Sequence, residues 1–91
     1  MTLLKDLDKC RLIAERMAAH FDVKKLYAYR DMALNDAAYF QALEKNCILT
    51  PWELFLVTDK LTWYTKFLDK RYNSARYIMT DLNYLHNKYK P

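Results

Sequence analysis

The chain of 91 residues contains no glycine, and this absence constrains its fold more than any motif does. Glycine permits positive φ angles, tight hairpin turns and the close approach of backbone to phosphate. Phosphate-binding loops, dinucleotide-binding fingerprints and nucleophile elbows all depend on it. The sequence therefore predicts an all-α fold, a compact antiparallel bundle of four to five helices joined by short polar turns.

Length and composition predict a single helical domain over residues 1–91. Hydrophobic residues make up 53% of the chain and aromatic residues 15%, which is enough for a dense core. No apolar run approaches the roughly 18 residues of a membrane span. The acidic residues among the first ten positions do not fit an export signal. We therefore expect a cytoplasmic protein that does not enter membranes, with Cys10 and Cys47 as reduced thiols.

The clearest local motif lies in residues 49–54. Thr50 is placed as an N-cap, Pro51 at the first helical position, and Glu53 as the partner that completes a capping box. These residues predict a helix over residues 51–72. Its apolar residues form two stripes, Leu54, Val57, Leu61, Tyr64 and Leu68 on one side and Trp52, Leu56, Trp63 and Phe67 on the other. We expect this helix to lie centrally and to pack from both sides, with a partner-facing second stripe as the alternative.

Apolar periodicity predicts further helices before and after this one. The first covers residues 3–20, with Cys10 on its apolar face. Asp22 is placed to cap the next helix. Residues 23–45 form either one kinked helix or two helices separated at Asn35 and Asp36. The last helix covers residues 75–88, and its apolar face contains Ala75, Ile78, Met79, Leu82, Leu85 and Tyr89.

The sequence contains no recognisable catalytic, cofactor or metal site. Two cysteines and two histidines would suffice for a zinc ion, but Cys10 and His20 lie about 15 Å apart along one predicted helix. The ligands of one zinc ion must be much closer than that. We expect His20 and His86 at the surface or at helix ends. The acidic residues alternate with Lys and Arg, as on a solvated face. The chain is therefore expected not to be an enzyme.

Charge is distributed unevenly along the chain. Residues 1–53 carry eight basic and eight acidic side chains, whereas residues 54–91 carry seven basic and three acidic ones. Tyrosines are interleaved with these cations. The sequence therefore predicts an interaction protein that binds an acidic patch on a larger protein and modulates it, with inhibition as the expected direction. The candidate partner-binding residues are Lys66, Lys70, Arg71, Arg76, Tyr77, Tyr84 and Lys88.

Two other functions remain open from the sequence. The same basic and aromatic surface could bind nucleic acid, because tyrosines beside arginines can stack on unpaired bases. The helix over residues 51–72 could instead pack against its own copy in a homo-oligomer. A small ligand between Trp52 and Trp63 is a further possibility. In size and class alone the chain is similar to bacteriocin immunity proteins and to phage or plasmid accessory proteins.

Overall fold

Four α-helices account for most of the chain in a computed structural model that describes residues 3–45, 49–68 and 71–88. They are α1 (Leu3–Val23), α2 (Tyr27–Glu44), α3 (Pro51–Phe67) and α4 (Ser74–Lys88), and no strand occurs within these residues. The all-helical prediction is confirmed. Three residues that the sequence analysis singled out, Cys47, Lys70 and Tyr89, lie outside the described residues.

The turn from α1 to α2 uses a left-handed residue that is not glycine. Lys25 has φ 62°, a region that glycine enters most readily. The Leu26 N–H donates to the Phe21 carbonyl at 2.8 Å, and the Lys25 N–H donates to the Asp22 carbonyl at 3.0 Å. This pair of bonds is a Schellman motif, which satisfies carbonyl groups at a helix C-terminus. The chain therefore reverses direction within three residues without any glycine.

This turn corrects the expected role of Asp22. The residue belongs to the last turn of α1, which runs to Val23 rather than ending at His20. The N-cap of α2 is Leu26, which makes no side-chain capping bond. Asp22 accepts a hydrogen bond of 2.9 Å from Arg30 instead. The Asp22 carboxylate thus stabilises the turn by binding the Arg30 side chain of α2, rather than by capping α2.

The open question about residues 23–45 is answered by one continuous helix, α2, which begins at Tyr27. Asn35 and Asp36 do not interrupt it. Asp36 is only 8% exposed and lies on the buried face. Its carboxylate is bound by two side chains of α3, Tyr64 and Lys60. A tertiary contact therefore places a residue that usually favours caps in the middle of a helix.

The predicted start of α3 is confirmed in detail. The Glu53 N–H donates to Thr50 Oγ1 at 3.1 Å, and the Thr50 N–H donates to Glu53 Oε1 at 2.8 Å. The helix ends at Phe67, five residues earlier than expected, because Leu68 is extended with ψ 124°. The Leu68 side chain nevertheless packs against the core.

Helix α1 is the central element, which corrects the expectation for α3. It contacts each of the other three helices, and its contact with α2 is the most extensive. The first stripe of α3 contributes Val57, Leu61 and Tyr64 to the core. Only part of the second stripe packs against the core, since Trp63 contacts the core while Trp52 is 65% exposed. Within the described residues, no helix is both long enough and apolar enough to cross a membrane.

Side-chain contacts define the directions of the helix pairs. Arg11 lies 3.4 Å from Glu44, whereas the Phe21 ring lies 5.6 Å from the Tyr29 ring, so α1 and α2 run antiparallel. Helices α1 and α4 are also antiparallel, because the start of α1 contacts the end of α4 through an ion pair of 2.9 Å between Asp6 and Lys88.

Candidate partner-binding surface

The structure divides the predicted partner-binding residues into two groups. Lys66, Arg71, Arg76 and Tyr77 are exposed around the junction of α3 and α4. Tyr84 and Lys88 lie near the other end of α4, and twelve residues of helix separate Arg76 from Lys88 by about 18 Å. The six of these residues that the structure describes therefore do not form one continuous patch.

Tyr84 and Lys88 contact α1 rather than standing free for a partner. The Lys88 ammonium donates to Asp6 Oδ2 at 2.9 Å and to the Tyr84 hydroxyl at 3.1 Å. The ammonium groups of Lys9 and Lys88 lie 5.5 and 5.3 Å from the centre of the Tyr84 ring. The hydrogen bonds to Asp6 and then to Tyr84 raise the pKa of Lys88. These contacts attach the end of α4 to the start of α1.

At the junction of α3 and α4, where the other group lies, a cluster of aromatic rings brings distant segments together. Tyr29 of α2 lies 5.8 Å from Trp63 and 5.3 Å from Phe67, both in α3. His20 of α1 lies 5.4 Å from Tyr72, in the junction between α3 and α4. The α1–α2 turn and the α3–α4 junction therefore lie at the same end of the molecule.

Cations from both of these segments gather at that end. The described residues of the ranges 20–31 and 63–77 carry six basic and two acidic side chains, an excess equal to the whole net charge of +4. The rest of the chain is neutral. We call this region the basic end and define it by five of its cationic residues, Lys24, Lys25, Lys66, Arg71 and Arg76.

The acidic side chains of the basic end leave an excess of positive charge. Asp22 and Asp31, the two that lie within the described residues, both bind Arg30, at 2.9 and 3.1 Å. Lys25 and Arg76 form no ion pair with another residue of the described segments. Concentrated charge of one sign attracts oppositely charged partners and speeds their association. The basic end is therefore suited to an acidic surface.

Sequence reasoning missed Lys24 and Lys25 because they lie in the half of the chain whose charges balance. Their position depends on the Schellman motif and on the contact between His20 and Tyr72. The Schellman motif could be recognised from the sequence, because the apolar residues Phe21 and Leu26 flank the turn. The contact between His20 and Tyr72 could not, because the two residues are 52 positions apart.

His20 lies in the last turn of α1, which confirms its expected placement at a helix end. Its side chain is buried rather than at the surface. It is only 1% exposed and packs edge-on against Tyr72 at an interplanar angle of 83°. The His86 side chain is outside the part of the structure that is described.

Cys10 is buried, as expected, and its chemistry is that of an inert thiol. Burial, followed by the charge of Asp6, raises its pKa to about 12. A thiol with such a pKa remains protonated at neutral pH and is a poor nucleophile and metal ligand. Across residues 3–45, 49–68 and 71–88, no three His, Cys, Asp or Glu residues lie together in a way that could hold a metal ion.

A separate pair of exposed aromatic rings lies near the start of α3. Trp52 and Phe55 stack with ring centres 5.5 Å apart and planes 23° from parallel. Both side chains are exposed.

Comparisons with protein-family models, with curated proteins and with solved structures give no match for this chain.

Proposed function

We propose that this protein is a non-catalytic binding protein that engages an acidic surface of a larger protein partner through the basic end. One observation carries the proposal: the whole net charge of +4 lies in the two segments that meet at this end. In this proposal the four helices form an antiparallel bundle that acts as a rigid support. Binding would modulate the partner by covering part of its surface.

The proposed contact combines electrostatic attraction with an aromatic anchor. Like-signed cations steer an acidic partner and raise the association rate. Tyr77 is 70% exposed and directly follows Arg76 on the outer side of α4. Tyrosine and arginine are enriched among residues that dominate binding energy at interfaces. The proposed surface is thus the basic end together with Tyr77.

The test is affinity capture from host lysate with matched charge variants. Lys25→Glu with Arg76→Glu reverses two exposed cations of the basic end that form no ion pair within the described residues. Lys9→Glu with Lys45→Glu makes the same charge change away from it. We expect one protein to be retained, after nuclease treatment, by the natural chain and the control but not by the basic-end variant. Equal retention by both variants would contradict the proposal.

Nucleic acid is a second candidate partner for the same surface, favoured by the exposed tyrosine beside Arg76. Binding through phosphates weakens steeply as salt concentration rises. Recovery of nucleic acid, or of many proteins that disappear after nuclease treatment, would favour this function over the first.

Self-association is a third candidate, favoured by the exposed stack of Trp52 and Phe55 on α3. It predicts a molecular mass that rises with concentration and falls back to the monomer value in Trp52→Ala with Phe55→Ala. A monomer mass at all concentrations would exclude it.

A further inference from the structure

The basic end also exposes apolar side chains among its cations. Val23, at the end of α1, is 62% exposed, and Tyr27, at the start of α2, is about half exposed. Lys24 and Lys25 lie between them in the chain, and Tyr77 projects from α4. An apolar centre with a charged rim is the usual composition of a protein–protein interface.

Most of the tyrosine rings at this end already have neighbours. The Arg30 guanidinium lies 4.9 Å from the centre of the Tyr27 ring, and Asp22 and Asp31 hold that guanidinium in place. Tyr29 contacts Phe21, Trp63 and Phe67. Proteins that bind single-stranded nucleic acid stack successive bases on several free aromatic faces. Tyr77 alone would not provide such a series.

The dimensions of the molecule indicate the length of a matching segment. The two shorter dimensions are 24 and 17 Å. An extended chain advances about 3.3 Å per residue, so a segment of roughly seven residues spans the longer of the two.

From this combination we infer that the partner presents a short polypeptide segment in which carboxylates surround one large apolar side chain. The carboxylates would contact cations of the basic end such as Lys25, Lys66 and Arg76, and the apolar side chain would lie against Val23 and Tyr77. The α1–α2 turn would thus supply half of the contact. This inference rests on the proposed function and specifies the chemistry of its partner.

The test uses three labelled probes of equal charge, measured by fluorescence anisotropy at low salt. The first is a seven-residue peptide with six glutamates around a central tryptophan, the second has serine in place of tryptophan, and the third is an oligothymidylate with six phosphates. We expect the tryptophan peptide to bind about tenfold more tightly than either of the others. Equal affinities, tighter binding of the oligothymidylate, or no binding of the tryptophan peptide would overturn the inference.

Three variants separate this inference from the function on which it rests. Val23→Ser removes only an exposed apolar side chain, and we expect it to reduce the preference for tryptophan while leaving the serine peptide unaffected. If the double variant Val23→Ser with Tyr77→Ala still prefers the tryptophan peptide over the serine peptide to the same extent, the apolar contact lies elsewhere and the inference is overturned. Lys25→Glu with Arg76→Glu should weaken all three probes. If it weakens none of them, the proposed function fails as well; if it weakens all three but they bind equally, only the inference fails.

Discussion

The Tyr64 hydroxyl donates a hydrogen bond of 2.6 Å to Oδ2 of Asp36, and this buried bond joins α3 to α2. The Lys60 ammonium lies 3.7 Å from the other carboxylate oxygen. A buried carboxylate is strongly unfavourable unless such partners satisfy it. Burial, together with the bond to Asp36, raises the pKa of Tyr64, so the hydroxyl keeps its proton and remains a donor.

Removing this hydroxyl should destabilise the fold. Tyr64→Phe deletes the donor but leaves the Asp36 carboxylate buried, and an unsatisfied buried polar group costs about 1–3 kcal/mol. We expect the free energy of unfolding, measured by urea denaturation at pH 7, to fall by this amount.

Tyr39→Phe is the matched control for this change, because Tyr39 is partly buried on α2 and has no hydrogen-bond partner among the described residues. It should change the free energy of unfolding by less than about 0.5 kcal/mol. Equal losses in the two variants would mean that the bond to Asp36 contributes nothing to stability.

Asp36 also illustrates what the sequence could and could not predict. The start of α3 was predictable because Thr50, Pro51 and Glu53 lie within four residues and interact locally. The buried position of Asp36 was not, because its partner Tyr64 is 28 residues away and aspartate is more common at caps than on buried helix faces. A complete local capping motif predicts the start of a helix, whereas a polar residue in a core requires knowledge of the tertiary contact.

The candidate surface shows the same limit in its charges. Lys66, Arg71 and Arg76 were identified from the excess of cations in the second part of the chain. Lys24 and Lys25 were not, because adding up charge along the sequence assumes that neighbours in sequence are neighbours in space. Contacts such as that between His20 and Tyr72 bring the two segments together only in the folded chain.

The left-handed conformation of Lys25 predicts a stabilising substitution. A non-glycine residue in this region costs about 1–2 kcal/mol relative to glycine, part of which is offset because glycine is more flexible when unfolded. We therefore expect Lys25→Gly to raise the free energy of unfolding by about 0.5–1 kcal/mol. Thermal and urea denaturation would both measure the gain.

Lys45→Gly is the comparison for this gain, since Lys45 follows α2 with φ −80° and needs no glycine. It also removes one positive charge, so it controls for the loss of the lysine side chain. We expect it to be neutral or destabilising. A gain in Lys45→Gly as large as that in Lys25→Gly would point to charge rather than backbone strain as the cause.

The two tryptophans of α3 should differ in their contribution to stability. The Trp63 and Phe67 rings have centres 4.2 Å apart, and the Trp63 ring also lies close to Phe21 and Tyr29. Trp63→Ala should therefore lower the free energy of unfolding by about 2–3 kcal/mol. Trp52 is mostly exposed, and Trp52→Ala should cost less than about 1 kcal/mol. Urea denaturation followed by circular dichroism would measure both, and similar losses would contradict the one-sided packing of α3.

The buried thiol of Cys10 predicts how stability changes at alkaline pH. Its pKa is raised from 9.0 to about 12 in the folded protein. Above pH 9 the unfolded chain releases this proton while the folded protein retains it, so folding becomes less favourable as the pH rises. A single such group reduces stability by up to about 1.4 kcal/mol per pH unit between its two pKa values. Below pH 9 the contribution of the protonated thiol is constant.

Cys10→Ala removes this dependence, although it loses some packing in the core. The stability advantage of the natural chain over Cys10→Ala should be constant from pH 7 to 8.5 and should shrink from pH 9 to 10.5. Urea denaturation across this range under reducing conditions measures the difference, in which the titration of Tyr64 cancels. Leu7→Ala loses packing but no titratable group, so its free energy of unfolding should differ from that of the natural chain by the same amount at every pH. If the difference for Cys10→Ala is also constant with pH, the Cys10 thiol has the same pKa in the folded and unfolded chains, which would contradict the prediction.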